Sequence, residues 1–249
     1  MRGRTVRISL PRRMVIDFLH FAAAVPTIPV QRRMALHELA GARAACRDRV
    51  RWTVLFTKAY ALVAREFPEL RRAYVTIPSP MFYEYPVSYA NVVVERTYEG
   101  ERALFSIVIK DPAERPLQEL GVVLQDASAA NIDDVKEFRR SLRIARLPLP
   151  LRRLIWWVGL NVGRQRARHF GTFTLSVYSA LNAESLHPLT PLTTLLTYGV
   201  IDRDGHVNVR IIYDHRVLDG ATVARALARL EEILNTEIVS ELRSLSQER

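Results

Sequence analysis

Strand-forming runs occur in neighbouring pairs along this chain, and helical runs separate the pairs. Residues 86–95 (PVSYANVVVE) and 103–110 (ALFSIVIK) are rich in β-branched side chains and are joined by a turn-like YEGER, which predicts an antiparallel pair. Residues 193–201 and 206–213 flank Asp-Arg-Asp-Gly, which is typical of a hairpin turn. Paired strands separated by helices predict an α/β protein, an α+β two-layer sandwich in which helices cover a mixed sheet.

The remaining periodic runs supply the other helices and strands of this architecture. Pro11 can begin a helix at its first position, and apolar residues then recur at helical spacing until Pro26. Further helices are predicted at residues 35–46, 52–67, 114–129, 132–146 and 219–234, and further strands at residues 27–36 and 171–179.

Length and composition are those of an ordinary globular protein. The chain has 249 residues without an internal repeat or low-complexity linker, so we predict a single domain over residues 11–249 after a basic arm, residues 1–10. Cys46 is the only cysteine, which excludes a disulfide framework, and the histidines lack metal-ligand spacing, so no metal is expected. Because no signal peptide or long apolar run is present, we expect a cytoplasmic protein.

One segment accounts for most of the net positive charge. The formal net charge is +10, and residues 139–168 contain nine arginines and no acidic residue. This predicts an anionic partner, although nucleic acid is not expected because no helix-turn-helix, zinc-finger, RNP or KH signature is present. The segment includes LIWWVGLNVG between arginines, and aromatic with basic residues suit a membrane interface. The alternative is an amphipathic helix packed on its own domain.

The densest group of ionisable residues is Tyr-Asp-His-Arg-Val-Leu-Asp-Gly, residues 213–220, between the last predicted strand and the last predicted helix. Asp219 directly precedes that helix, so its carboxylate could cap free backbone N–H groups, and His215 could be a structural histidine. Alternatively, the His-x-x-x-Asp-Gly spacing lets Asp219 hold the local backbone while the His215 imidazole faces a cleft. On residue chemistry alone, both interpretations stay open.

The segment IIYDHRVLDGATVARALARLEEIL resembles the C-terminal signature of the catalytic domain of dihydrolipoyl acyltransferases, the core subunits of 2-oxo acid dehydrogenase complexes. Chloramphenicol acetyltransferase has the same His-x-x-x-Asp-Gly motif. Upstream, GTFTLSVYS is similar to the family's G-G-T-F-T-I-S strand, and TVLFTKAYALVAREFPEL to its helix that ends in P-E-L. Condensation domains of peptide synthetases have a related His-His-x-x-x-Asp-Gly, but Asp214 replaces the first histidine, which favours the acyltransferase branch. The resemblance covers about residues 50–235 and implies a chloramphenicol acetyltransferase-like fold.

This resemblance implies a CoA-dependent acyltransferase that uses acyl-CoA and a thiol, hydroxyl or amine acceptor. It assigns His215 as general base, since an ordinary histidine pKa of about 6.5 suits proton transfer near neutral pH. It assigns Ser176, the serine of T-I-S, as hydroxyl donor to the oxyanion; a strand serine bonded to a neighbour is the alternative. Asp219 is expected to support the loop and to pair with an arginine from the N-terminal half. The family forms trimers in which the histidine and serine of one site come from different chains.

The chain also departs from the family. Its 249 residues are too few for lipoyl and subunit-binding domains beside a catalytic core, and Lys58, Lys110 and Lys136 lie outside any lipoyl-type hairpin, so we expect no lipoyl attachment on what resembles a free-standing relative. The arginine-rich segment is longer than the family needs, which predicts a second anionic partner, either an acidic carrier domain or an anionic membrane surface, with Trp156 and Trp157 beside its basic face. Two alternatives stay open: a lipid-like acceptor at a membrane surface, and a catalytically silent trimeric scaffold.

Overall fold

A six-stranded mixed sheet forms the centre of the protein. The computed structural model describes residues 3–178 and 181–247. The sheet strands are β1 (Thr27–Ala35), β4 (Tyr89–Tyr98), β5 (Glu101–Lys110), β6 (Phe173–Leu175), β7 (Thr194–Tyr198) and β8 (His206–Asp214), and a separate hairpin contains β2 (Arg72–Val75) and β3 (Met81–Glu84). The order in the sheet is β1-β8-β7-β6-β4-β5. β6 runs parallel to β4 and β7, and the other neighbours are antiparallel, as predicted for a mixed sheet.

Nine α-helices in the described residues surround this sheet. They are α1 (Leu10–Ala22), α2 (His37–Ala45), α3 (Trp52–Glu66), α4 (Leu117–Ala129), α5 (Lys136–Ala145), α6 (Leu149–Asn161), α7 (Gly163–Phe170), α8 (Gly220–Asn235) and α9 (Glu237–Gln247). The start of α1 follows from its sequence, because the Ser9 side chain accepts a hydrogen bond from the Arg12 N–H and Pro11 occupies the first turn. The helices predicted from apolar periodicity are therefore present, with ends shifted by a few residues.

The core lies where α3 and α8 pack on the sheet. Every residue from Val54 to Ala64 in α3 is buried, because this helix packs against α4, α8 and β4. The polar atom of its largest buried side chain is satisfied, since the Tyr60 hydroxyl donates to Thr194 Oγ1 at 2.7 Å. Burial raises the pKa of Tyr60. This interior connects α3 and α8 to the central strands.

The hairpin of β2 and β3 was not predicted from the sequence. Each strand has only four residues, the β3 residues are all exposed, and Pro78 and Pro80 lie between the strands, so the alternation of burial in β2 is too short to mark a hairpin. Side-chain bonds attach it to the rest of the protein: the Thr193 hydroxyl donates to the carbonyl of Arg72. The hairpin thereby lies beside the end of β8.

The arginine-rich segment forms most of α5, the whole of α6 and all but the last two residues of α7. Two of its nine arginines are buried: Arg152 pairs with Asp17 at 2.7 Å, and Arg166 donates to three backbone carbonyls. These two arginines are therefore occupied by acceptors within the protein and are not available to an anionic partner. Trp156 also differs from expectation, since it packs inward against Phe21 and Phe170.

Candidate active site

The motif of residues 213–220 forms a tight turn between β8 and α8. β8 ends at Asp214, whose carbonyl accepts hydrogen bonds from the N–H groups of Val217 and Leu218. The N–H of His215 donates to the carbonyl of Pro26 at 3.0 Å, so the start of β1 holds the turn from the other side. The His215 side chain is exposed, as a base that must meet a substrate requires.

One hydrogen bond sets the chemical state of the His215 ring. Its Nδ1 lies 2.9 Å from the carbonyl oxygen of Leu218. Because a carbonyl oxygen can only accept, Nδ1 must carry the proton, and the lone pair of the neutral ring is then on Nε2. The Tyr213 ring meets the imidazole edge-on, with 5.6 Å between the ring centroids. The backbone thus orients His215 with Nε2 available as a base.

Asp219 occupies the N-cap position of α8 but does not cap it. Its side chain makes no hydrogen bond to the first turn of the helix, and it is exposed. Within residues 3–178 and 181–247 of one chain, no arginine forms an ion pair with it, so the expected pairing with an N-terminal arginine is not found there. Its charge lies near the Tyr213 hydroxyl: burial raises the pKa of Tyr213, and Asp219 adds to that rise.

Sequence reasoning missed the buried acid beside the histidine. Asp214 is 1% exposed, and its two carboxylate oxygens accept from Arg216 Nε at 2.9 Å and Nη2 at 2.7 Å. The Arg216 guanidinium also lies over the Tyr74 ring, 4.5 Å from its centroid. A bidentate pair spanning His215 fixes the backbone on both sides of it. An acid directly after the apolar run at residues 211–213, two residues before an arginine, was the available signal.

A second arginine lies under the same turn. Arg166 from α7 is nearly fully buried and donates to the carbonyls of Tyr74 at 3.1 Å and Pro191 at 2.9 Å. Burial lowers the pKa of Arg166, and the nearby charge of Asp214 opposes that shift. Arg166 therefore connects the arginine-rich segment to the candidate site. Its hydrogen bonds position the β2–β3 hairpin and the loop before β7.

Ser176 lies directly after β6 at the interior of the sheet. It is buried, and its N–H donates to the carbonyl of Leu196 at 3.2 Å. The strand predicted at residues 171–179 is shorter than expected, since β6 ends at Leu175, and part of the predicted range, residue 179, lies outside the described residues. The serine is thus on a rigid element, as a hydrogen-bond donor to a developing charge should be.

The structure places Ser176 and His215 far apart within one chain. The register aligns Phe173 with Thr194 and Thr194 with Tyr213, so Ser176 lies level with Arg210. His215 is five residues beyond Arg210 along β8, which is about 16 Å at the usual strand rise. Two strand spacings add to this separation. Hence these two side chains cannot act on the same atoms within one chain.

Other candidate ligand groups near the turn are few. The His187 Nε2 lies 2.9 Å from Thr27 Oγ1, and Thr27 pairs with Asp214 in the sheet register, so a second histidine approaches the same end of β8. In the described part of the chain, no three His, Cys, Asp or Glu side chains come together as a metal site. The turn therefore offers a histidine that can act as a base and that the pair of buried Asp214 with Arg216 holds in place.

Comparison with known proteins identifies the fold. A scan of the sequence against protein-family models finds no match, and a search of curated proteins finds none either. Among solved structures, the dihydrolipoamide acetyltransferase of Azotobacter vinelandii has a TM-score of 0.68 and 18% identity, covering 97% of this chain and 94% of that one. The truncated catalytic core of the 2-oxoacid dehydrogenase multienzyme complex of Thermoplasma acidophilum has a TM-score of 0.67 and 18% identity, covering 94% and 99%.

Chloramphenicol acetyltransferase is also similar, with a TM-score of 0.53, 14% identity, and coverage of 94% of this chain and all of that one. The chain therefore has the chloramphenicol acetyltransferase-like fold. Among structures with this fold, the two dihydrolipoamide acetyltransferase and 2-oxoacid dehydrogenase cores match over nearly the whole length of both chains. The fold predicted from the His-x-x-x-Asp-Gly segment and its upstream strand is confirmed.

Proposed function

We propose that this protein is a CoA-dependent acyltransferase that moves an acyl group from a thioester to a thiol, hydroxyl or amine acceptor. The observation that carries the proposal is the hydrogen bond from His215 Nδ1 to the carbonyl of Leu218, which leaves Nε2 free on an exposed turn. It occurs in a fold shared with acetyltransferases. Acyl-CoA is the proposed donor substrate.

The proposed reaction is a direct transfer. His215 Nε2 takes the proton from the acceptor as its sulfur, oxygen or nitrogen attacks the thioester carbonyl, forming a tetrahedral oxyanion. When the carbon–sulfur bond breaks, the imidazolium returns the proton to the CoA thiolate. The products are the acylated acceptor and free CoA, and the reaction requires no acyl-enzyme.

We assign the Ser176 hydroxyl to the oxyanion and place it in a site formed by two chains. The distance between Ser176 and His215 within one chain supports this assignment, because only a second copy can supply the serine to the histidine. The similar structures include a cubic core of a pyruvate dehydrogenase multienzyme complex, an assembly of many chains. A homotrimer is the proposed unit.

One of the similar solved structures supports the role proposed for Asp219. The Azotobacter vinelandii structure was studied for the roles of a serine, a histidine and an asparagine in its catalytic mechanism, and in that protein the histidine and asparagine are four positions apart. Asp219 follows His215 at the same spacing. Asp219 is exposed and forms no ion pair within residues 3–178 and 181–247, which leaves it available for a contact across the subunit boundary, so we assign Asp219 to support of the shared site.

Removing the base tests the proposal. We expect His215→Gln to lower turnover about 10²–10⁴-fold when free CoA is quantified by chromatography across a series of acyl-CoAs, with and without a reduced lipoyl domain as acceptor. His206→Gln, at the opposite end of β8, is the matched control and should retain wild-type turnover. A His215 variant with more than about a third of wild-type turnover would exclude the assignment.

A site formed by two chains also predicts the mass of the protein in solution. Light scattering at micromolar concentration should give a trimer of the 28.5 kDa chain. Mixing inactive His215→Gln with inactive Ser176→Ala should restore part of the activity, because some mixed trimers contain one site with both native residues. A monomeric mass, or no recovery after subunit exchange, contradicts the two-chain site.

A further inference from the structure

The outward side of α6 is apolar. Leu151, Leu154, Trp157 and Val158 recur at intervals of three and four residues, which puts them on one helix face, and each is at least 42% exposed. We call these four residues the α6 face. Leu154, near its centre, is 54% exposed. A contiguous exposed apolar helix face marks a surface that contacts something other than water.

Contacts on the opposite side fix this orientation. Arg152 is buried against Asp17, and Arg153 lies 3.4 Å from the same carboxylate. Trp156 is stacked on Phe21. The helix cannot turn its leucines inward without removing Arg152 from its partner, so the apolar exposure is a stable property of the fold.

The hairpin extends the α6 face at one end. Thr76 Oγ1 donates to Asn161 Oδ1 at 2.7 Å, which attaches the turn between β2 and β3 to the last residue of α6. Ile77 and Phe82 in that hairpin are exposed. Two neighbouring elements thus present large apolar side chains to solvent in the same region.

Unpaired arginines occur before and after α6. Arg146 lies between α5 and α6, and Arg164 and Arg168 lie in α7, which packs against α6. All three are exposed, and none forms an ion pair with any residue of the described ranges 3–178 and 181–247. Free positive charges therefore lie in the segment before α6 and in the helix that packs against it.

We propose that the α6 face binds an anionic lipid surface, with its apolar side chains at the acyl–headgroup boundary and the arginines on lipid phosphates. An apolar face flanked by cations matches that surface chemically. A second copy of the same face would bring like charges together, and an acidic protein would leave Leu151 and Leu154 without apolar contacts. This proposal concerns binding alone and does not depend on the proposed reaction.

The helix would lie in the plane of the interface. Its 13 residues extend about 20 Å at the usual helix rise, short of the roughly 30 Å hydrocarbon thickness. In the ranges that the structure describes, no helix has the length and apolarity needed to cross a membrane. Trp157, 45% exposed, is placed as interfacial tryptophans are, with an apolar ring near headgroups.

Vesicle sedimentation tests the proposal. Wild-type protein should sediment with phosphatidylcholine–phosphatidylglycerol vesicles at low salt and much less with pure phosphatidylcholine. Leu154→Glu combined with Val158→Glu should weaken binding by about tenfold or more. Val122→Glu, an exposed valine on α4, is the matched control and should bind as wild type. Equal unfolding midpoints for the variants would show that binding, not folding, has changed.

Tryptophan fluorescence locates the contact. Anionic vesicles should blue-shift the emission of the wild type, and Trp157→Phe should abolish the shift while Trp52→Phe keeps it. Three results overturn the proposal: no sedimentation with anionic vesicles at low salt, a double glutamate variant that changes the oligomeric mass, or Leu154-dependent binding to poly-glutamate. The second would identify a subunit contact, and the third an acidic protein partner.

Discussion

Helices α6 and α8 have similar lengths but opposite relations to the core. α8 buries its apolar residues, namely Val223, Ala226, Leu227, Leu230, Ile233 and Leu234, and leaves charged residues such as Arg225 and Glu232 in solvent. α6 buries an arginine and exposes leucines. The first pattern is that of a helix that completes its own domain, whereas the second needs a contact outside the chain.

The difference shows that different forces hold the two helices. α8 is stabilised by apolar area removed from water, which needs no specific partner geometry. α6 is positioned by the Asp17–Arg152 pair and by the aromatic contacts of Trp156. An ion pair in a buried position is sensitive to the loss of either partner. The two helices should therefore respond to different substitutions.

The largest effect is expected for Asp17→Ala. It leaves Arg152, whose side chain is 9% exposed, buried without its carboxylate, which should lower the free energy of unfolding by about 3–5 kcal/mol. Asp17→Leu combined with Arg152→Met should recover part of the loss, because Arg152 no longer leaves a buried charge, while Arg153 still lacks the carboxylate. Chemical denaturation monitored by circular dichroism measures both variants. A loss under about 1 kcal/mol for Asp17→Ala would show that the pair does not hold α6.

Sequence periodicity identified α8 and the turn before it because a single apolar stripe and a fixed motif occur there. It did not show which side of α6 faces the core, since apolar residues lie on all sides of that helix around two adjacent arginines and Asp17 lies far away in sequence. The separation of Ser176 from His215 could not be predicted from the sequence either, because it depends on strand register. Asp214 could have been noticed, but its burial depends on Arg216 and the β2–β3 hairpin, which no sequence pattern marks.

A matched pair of leucine truncations should give the next largest difference. Leu230 is fully buried in α8 and Leu154 is largely exposed in α6. Leu230→Ala should lower the free energy of unfolding by about 2–5 kcal/mol, and Leu154→Ala should change it by no more than about 0.5 kcal/mol. Urea titrations of the two variants make the comparison. Similar losses would mean that the α6 face is covered in solution by another part of the protein or by another copy.

A smaller effect is expected where α6 approaches α7. A Cβ at Gly159 would lie 2.7 Å from the Phe170 ring, whereas one at Gly41 in α2 would meet nothing within 4 Å. Gly159→Ala should cost about 1–3 kcal/mol through displacement of that ring, while Gly41→Ala should stabilise by roughly 0.5–1 kcal/mol. Thermal unfolding distinguishes the two directions. A stabilising Gly159→Ala would show that α6 moves freely relative to α7.

The smallest expected effect is the pH dependence of stability that a histidine in α7 contributes. Burial, followed by the charges of Arg140, Arg168 and Lys136, lowers the pKa of His169, and Arg140 contacts its Nδ1. Between the unfolded value of about 6.5 and the lower folded value, the unfolded chain binds more protons. Stability attributable to this group is therefore complete above about pH 6.5 and falls as the pH decreases.

His169→Gln should remove that part of the pH dependence. Because the ring is partly exposed, solvent screening limits the contribution to no more than about 1 kcal/mol. The measurement is the change in free energy of unfolding between about pH 7.5 and about pH 5.5, which should be smaller in the variant than in the wild type. His37→Gln in α2, outside this arginine cluster, should keep the wild-type change. An identical pH response in His169→Gln would show that neither burial nor the nearby arginines lower the pKa of His169. The charges of the arginines around α6 and α7 would then be fully available to solvent and ligands.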